Sequence, residues 1–214
     1  MRYPKDHKDA AREKLVRASG SHAKKHGFGE TGVASLAASA GVTTGALYKH
    51  FDGKADLTQA LIDRNGLRLL AAYADVFDRV LTPEDFVRDG ISVFVGHIDA
   101  NPEIFRFMVG NAADDTLVDE IGLPLAALTR SILAQQGKGL ETAETLVRMA
   151  LGTVFAATSW WSRHRTPERS VFERTLADFV WGGVVNAGIE PTDEPVDLHA
   201  LAQVIAEATA RPLA

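Results

Sequence analysis

Residues 31–57, TGVASLAASAGVTTGALYKHFDGKADL, decide the reading of this chain. Val33, Leu36, Ala37 and Ala40 recur at helical spacing and put a small apolar stripe on a helix of about two turns. Gly41 ends that helix, because glycine enters positive φ without a steric penalty, and Val42 is placed to plug the corner that follows. Thr43 suits an N-cap. The next helix, Thr44 to about His50, turns Leu47 and Phe51 inward and leaves Thr44, Gly45, Tyr48 and Lys49 outward. Asp52-Gly53 then opens a third helix with Lys54 in its first turn, where a cation opposes the helix dipole by roughly 0.3 to 1 kcal/mol and an arriving phosphate reverses that penalty.

Two short helices about a glycine turn, with hydroxyls, a glycine and a cation on the outer face of the second, make a helix-turn-helix suited to nucleic acid. Threonine hydroxyls and methyls meet base edges, a tyrosine hydroxyl donates to phosphate, and Gly45 lets backbone and DNA approach closely.

Taken in order, A-x-x-A-G-V-T-T-G-A-L-Y-K-H-F-x-x-K-x-x-L over residues 37–57 resembles the signature of the TetR family of bacterial one-component repressors. The resemblance spans roughly Lys8 to Asn65 and leaves most of the chain outside any motif. It implies that the helix matching Thr44 to His50 enters the major groove. Thr43, Thr44, Gly45 and Lys49 then lie against bases or flanking phosphates, while Tyr48, His50 and Lys54 hold phosphate. Two positions depart from the pattern. Gly32 stands where the family often has Ser or Thr, which moves the expected phosphate contact to Thr31. Gly20, His22 and Ala23 occupy first-helix positions usually filled by large apolar groups, which predicts a thin core, and a mid-helix glycine costs about 1 kcal/mol relative to alanine.

Length and charge agree with a small basic head on a larger acidic body. The chain has 214 residues, 46% of them hydrophobic, enough for a sizeable core. Residues 1–64 carry eleven Lys or Arg against seven Asp or Glu, a balance of +4, and the remainder carries −9. That asymmetry orients the molecule toward a polyanion, while net acidity opposes indiscriminate coating of DNA. The chain has no cysteine, which excludes disulfides, thiol redox sensing and cysteine-ligated zinc. The charged segment MRYPKDHKDAARE has no apolar stretch of the signal-peptide kind, and no apolar run approaches about 18 residues, so a cytoplasmic location without membrane insertion is expected.

Beyond the head the pattern is helix after helix, giving an all-α expectation: an N-terminal three-helix DNA-binding domain over 1–53, then a larger helical ligand-binding and dimerisation domain over 54–214. Expected helices run from Lys54 to Val80, Pro83 to Ala100, from Asn101-Pro102 onward, Asp115 to about Gln136 with a kink near Pro124, Glu141 to about His164 and Glu168 to about Ala187. Residues 189–196 read as a linker. Leu198, Leu201, Ile205 and Ala208 suggest a short terminal helix. The resemblance implies that the last two main helices pack against their copies as a four-helix bundle, with Gly152, Ala156, Ala157, Gly182 and Gly183 permitting close approach. A lone head grips too few base pairs for useful specificity, so a homodimer on a near-palindromic double-stranded operator is expected.

Phe94, His97, Phe105, Phe107, Met108, Phe155, Trp160 and Trp161 are the candidates for lining an apolar effector cavity, although aromatic residues at helical spacing serve core packing equally well. The aromatic, weakly charged body leans toward a small hydrophobic effector. His97 and Asp99 do not face each other on a helix, so no metal site is expected. No nucleophile elbow, dinucleotide fingerprint, phosphate loop or zinc-protease motif is present, and neither an enzyme nor a cofactor is expected. The resemblance implies allosteric repression. An activator, a ligand-independent repressor of the same fold and, more remotely, a helical small-molecule-binding protein without DNA binding remain as alternatives.

Overall fold

Every regular element is an α-helix among the residues that the computed structural model describes: 5–26, 31–77, 79, 81–103, 105, 116–139 and 141–196. The helices are α1 (Lys5–His26), α2 (Val33–Ser39), α3 (Thr44–Leu47), α4 (Lys54–Phe77), α5 (Pro83–Ala100), α6 (Thr116–Gln135), α7 (Ala143–His164) and α8 (Arg169–Asn186). They form two compact units, with the division within α4 between Leu67 and Arg68; the described residues of segment 101–105 group with the first unit.

The first unit is built on one apolar core. Leu15 and Val16 of α1, Leu36, Ala37 and Ala40 around α2, Leu47 of α3, Phe51, and Leu57, Ala60 and Leu61 of α4 are all buried together. The thin core expected around Gly20 is filled from the other side. A Cβ on Gly20 would lie 3.1 Å from Leu61 Cδ2, so the leucine occupies the space that a larger α1 side chain would take. Arg64 Nε on Glu13 at 2.9 Å adds a polar tie between α4 and α1.

Helix α2 ends as its sequence dictates. Ala40 is the C-cap, Gly41 adopts φ +69°, its N–H donates to the Ala38 carbonyl at 3.0 Å, and Val42 N–H donates to Ala37 O at 3.0 Å. This paired arrangement satisfies the last carbonyls of the helix and turns the chain toward α3. Helix α3 is shorter than the spacing predicts, since it closes at Leu47 with Tyr48 as C-cap. Lys49 and His50 instead bond three residues back, to Ala46 O at 3.3 Å and Leu47 O at 2.9 Å, a tightened last turn that satisfies orphan carbonyls before Phe51 is buried.

In the second unit α5 packs on α8 and α7, and α7 packs on α6 and α8. Asp99 at the end of α5 receives Arg165, and Arg169 at 3.5 Å, while Arg88 bridges to Asp178 at 2.7 Å, so charged pairs fasten α5 to α8 near both ends of the contact. Helix α6 continues through Pro124, where a kink is expected from the sequence.

Residues 189–196 are not a free linker. Ile189 is buried with Leu133, Ala143 and Trp181, and Val196 packs on the cluster of Val76, Leu81 and Leu128. Val196 N–H donates to Leu81 O at 2.8 Å. The acids and prolines that suggest a linker face solvent, while two apolar residues seven positions apart hold the segment down. The expected terminal helix around 198–208 lies outside the described residues.

Candidate nucleic-acid interface and effector residues

Thr43 caps α3 through its own side chain: Oγ1 accepts the Ala46 N–H at 3.2 Å. With the cap fixed and Leu47 and Phe51 buried at 0% and 1% exposure, α3 has one orientation on the core. The face left outward holds Thr43, Thr44, Gly45, Tyr48 and Lys49, all exposed, with Tyr48 at 54%. Residues 44, 45, 48 and 49 are helical neighbours, so hydroxyl, bare backbone, phenol and ammonium lie side by side. No Cβ-distance neighbour lies within 4 Å at Gly45, so its small size answers to nothing inside the unit. The surface offers both base-reading and phosphate-holding groups, as groove recognition requires.

The remaining head candidates differ from this row in burial. Thr31 is buried at 7% exposure, and Gly32, at the N-cap of α2, contributes no side-chain cap. His50 is half-buried, and its Nδ1 is enclosed without a hydrogen-bond partner. Lys54 is half-buried at the start of α4.

Arg12 is a residue the sequence reading missed. Its guanidinium lies 4.8 Å over the Phe51 ring and 3.8 Å from the Asp56 carboxylate, whose other oxygen accepts the Asp52 N–H at 3.0 Å. Arg12 and Asp56 thereby fasten the turn between α3 and α4 to α1. No local motif marks such a residue, because its partners are about 40 positions away in the chain.

The effector candidates separate into distinct settings. Phe94 of α5 is buried, and its ring centroid lies 4.9 Å from that of half-buried Phe155 of α7, at 57°. Half-buried His97 follows one turn after Phe94. Phe105 is 1% exposed and groups with the first unit. Trp161 is buried, stacked on Phe172 at 5.1 Å and 8°, with Nε1 donating to Pro167 O at 2.9 Å. Trp160 stands on the surface at 46% exposure, its ring stacked on His164. Phe107 and Met108 lie outside the described residues. Phe94, His97 and Phe155 are thus the candidates that the second unit brings to adjoining helices.

Among the described residues no group of three His, Cys, Asp or Glu side chains is arranged to hold a metal ion, and no helix is long and apolar enough to cross a membrane.

Residues 17–61 match the family described as bacterial regulatory proteins, tetR family. An uncharacterized HTH-type transcriptional regulator of Mycobacterium tuberculosis is 28% identical over 200 residues, covering 85% of this chain and 82% of its own length. Among solved structures, a TetR-like transcriptional regulator from Rhodococcus sp. RHA1 superposes with a TM-score of 0.63 at 21% identity, covering 86% of this chain and 99% of its own. RolR, solved in complex with its ligand resorcinol, superposes with a TM-score of 0.60 at 19% identity and covers 99% of this chain and 98% of its own. These structural likenesses are likenesses of fold.

Proposed function

We propose that this chain, which belongs to the TetR family of bacterial transcriptional regulators, is a cytoplasmic homodimeric repressor that leaves a near-palindromic operator when a small hydrophobic molecule enters its larger helical unit. The observation that carries this reading is the exposed row Thr44, Gly45, Tyr48 and Lys49 on a helix whose other side is locked into the core. In this reading the domain over residues 1–53, together with Lys54 at the start of α4, binds DNA, and the rest of residues 54–214 binds effector and pairs the protomers. Thr44 and Gly45 meet base edges, Thr43 and Lys49 meet bases or flanking phosphates, and Thr31, Tyr48, His50 and Lys54 engage phosphate.

The dimer reading is supported by the outer faces of α7 and α8. Met149, Trp160, Val171 and Phe179 are exposed there, Met149 at 65% and Phe179 at 69%. Gly152, Gly182 and Gly183 lie in the same helices, where glycine is unfavourable, and a Cβ at any of them would meet nothing within 4 Å. Nothing inside the protomer therefore asks for these glycines, whereas close approach of a second copy's helices does. Exposed apolar side chains in such number mark an interaction face. Two heads paired by a two-fold axis read half-sites about one helical turn, or a multiple of it, apart.

For the effector, the Phe94–Phe155 pair supplies an apolar wall, and the fold neighbour bound to resorcinol supports a small aromatic molecule. Effector binding shifts α4, which begins in the head, and changes the spacing of the two recognition helices. The coupling is reciprocal: operator weakens effector binding by the factor by which effector weakens operator binding.

The deciding experiment is selection of bound sequences from random duplex DNA, followed by a salt titration on the selected site. A palindrome whose half-sites are about one turn apart supports the reading; sequence-blind, salt-sensitive binding overturns it.

A further inference from the structure

We infer that the hydroxyl of Thr158 on α7 is the polar handle of an effector site beside the Phe94–Phe155 pair, and that the site takes an aromatic ring bearing a hydroxyl group. The inference rests on the reading of the larger unit as effector-binding.

Thr158 is 0% exposed, and its Oγ1 has no hydrogen-bond partner. A helical threonine normally has a ready partner in the carbonyl four residues earlier. Four others in this chain use it: Thr58 bonds to Lys54 O at 2.6 Å, Thr129 to Leu125 O at 2.8 Å, Thr153 to Met149 O at 2.9 Å and Thr175 to Val171 O at 2.8 Å. Thr158 does not, although burial makes an unpaired hydroxyl unfavourable. Neighbouring hydroxyls are satisfied as well: Ser162 donates to Ser159 O at 2.8 Å, and Ser159 Oγ accepts Arg163 Nη1 at 3.0 Å. The Thr158 hydroxyl is thus held in the interior with its donor and acceptor unspent.

What lies beside it sets the ligand class. Phe155 is three positions earlier on α7, hence a neighbour on the same face, and its ring meets Phe94 of α5 at 4.9 Å. Thr158 is enclosed in the same unit, and half-buried His97 stands one turn after Phe94. Two aromatic rings offer a wall for a third ring, and a lone neutral hydroxyl suits a partner that both donates and accepts. A carboxylate would bring a charge that one hydroxyl cannot compensate in the interior.

The test is calorimetric titration of the full-length protein and its Thr158→Val variant with phenol and with toluene, probes that differ by the hydroxyl. Valine keeps the shape and removes the polar group. The expected result is phenol binding to the parent, a loss of about tenfold in phenol affinity in Thr158→Val, unchanged toluene affinity, and retained phenol binding in Thr158→Ser. A parent that does not bind phenol overturns the inference, as does a variant in which both probes weaken alike or neither weakens. A variant that melts well below the parent also overturns it, because the hydroxyl then holds the fold through a buried water rather than awaiting a ligand. Duplex-DNA selection on the same preparations separates the two readings. Selective DNA binding without phenol binding removes only the Thr158 site, whereas phenol binding without selective DNA binding removes the repressor reading and leaves the site standing.

Discussion

The side-chain amide of Gln136 pairs with both backbone groups of Glu190: Nε2 donates to the Glu190 carbonyl and Oε1 accepts the Glu190 N–H, each at 2.9 Å. A side chain at the end of α6 thus plays the part of a neighbouring strand and fixes the chain where it leaves α8. Gln136→Ala should loosen the segment by about 1 kcal/mol. The check is amide hydrogen exchange: protection at Ile189 and Glu190 should fall while the middle of α8 keeps its protection. Unchanged protection at both residues would mean that Ile189 packing alone holds the segment.

The same clip should respond to acid. Lys138 Nζ lies 2.7 Å from Glu190 Oε1 and holds that carboxyl below the usual glutamate range. A carboxyl lowered in the folded state contributes above its ordinary value and loses that contribution as pH falls through the lowered one. Protection factors at Ile189 and Glu190 should therefore decline on acidification, and Lys138→Met should flatten the decline. Both groups lie at the surface, so salt should weaken the effect.

Tyr73 of α4 donates its hydroxyl to the Gly90 carbonyl of α5 at 3.0 Å, and burial pushes the phenol above its ordinary range. Tyr73→Phe leaves that carbonyl without this donor and should cost about 1 kcal/mol in urea unfolding. The raised phenol adds a sign: its contribution is intact below the ordinary tyrosine value and is lost as pH rises beyond it. Parent stability should fall in alkali more steeply than that of Tyr73→Phe. Parallel curves would assign the alkaline loss to another group.

Gly20 and Gly152 both sit inside helices, and substitution by alanine should act oppositely at the two. At Gly20 the new Cβ meets Leu61 Cδ2 at 3.1 Å in a closed core, so overpacking of about 1–3 kcal/mol outweighs the gain of about 1 kcal/mol in helix propensity. At Gly152 the Cβ meets nothing within 4 Å, so the protomer gains the propensity. If that bare surface is where a second copy packs, Gly152→Ala should also raise the dimer dissociation constant. Thermal melting reads the first effect and sedimentation at micromolar concentration the second. Tighter association in Gly152→Ala would place the contact elsewhere.

What was legible before the structure was mainly local. The end of α2 follows from apolar spacing and a glycine at the one position that needs positive φ, and Thr43 follows from capping chemistry; both are contests settled within a few residues. Long-range features were not legible. The hold on residues 189–196 depends on Gln136, more than fifty positions away, and the turn before α4 depends on Arg12. Trp160 and Trp161 are adjacent, yet one is surface and the other core, because Trp161 lies with Val154 and Thr158 on the inward side of α7 and the step back to Trp160 leaves it. The unspent hydroxyl of Thr158 depends on what packs around it, to which spacing is blind.

Thr44 and Tyr48 lie one turn apart on the outward face of the α3 region, and the proposed division of labour gives them different signatures. Tyr48→Phe removes a phosphate donor while keeping the ring, so affinity should fall by a similar factor for the selected operator and for its point variants. Thr44→Val keeps the shape and the methyl but removes the hydroxyl, so preference should change at one base position in each half-site by about 1–3 kcal/mol. Lys49→Gln should reduce the magnitude of the salt slope by about one unit per protomer if the ammonium neutralises a phosphate. All three residues are exposed, so melting temperatures should stay near that of the parent, and binding losses then report the interface rather than the fold. If Thr44→Val weakens every sequence equally, Thr44 is a backbone contact and base reading must come from elsewhere on this face.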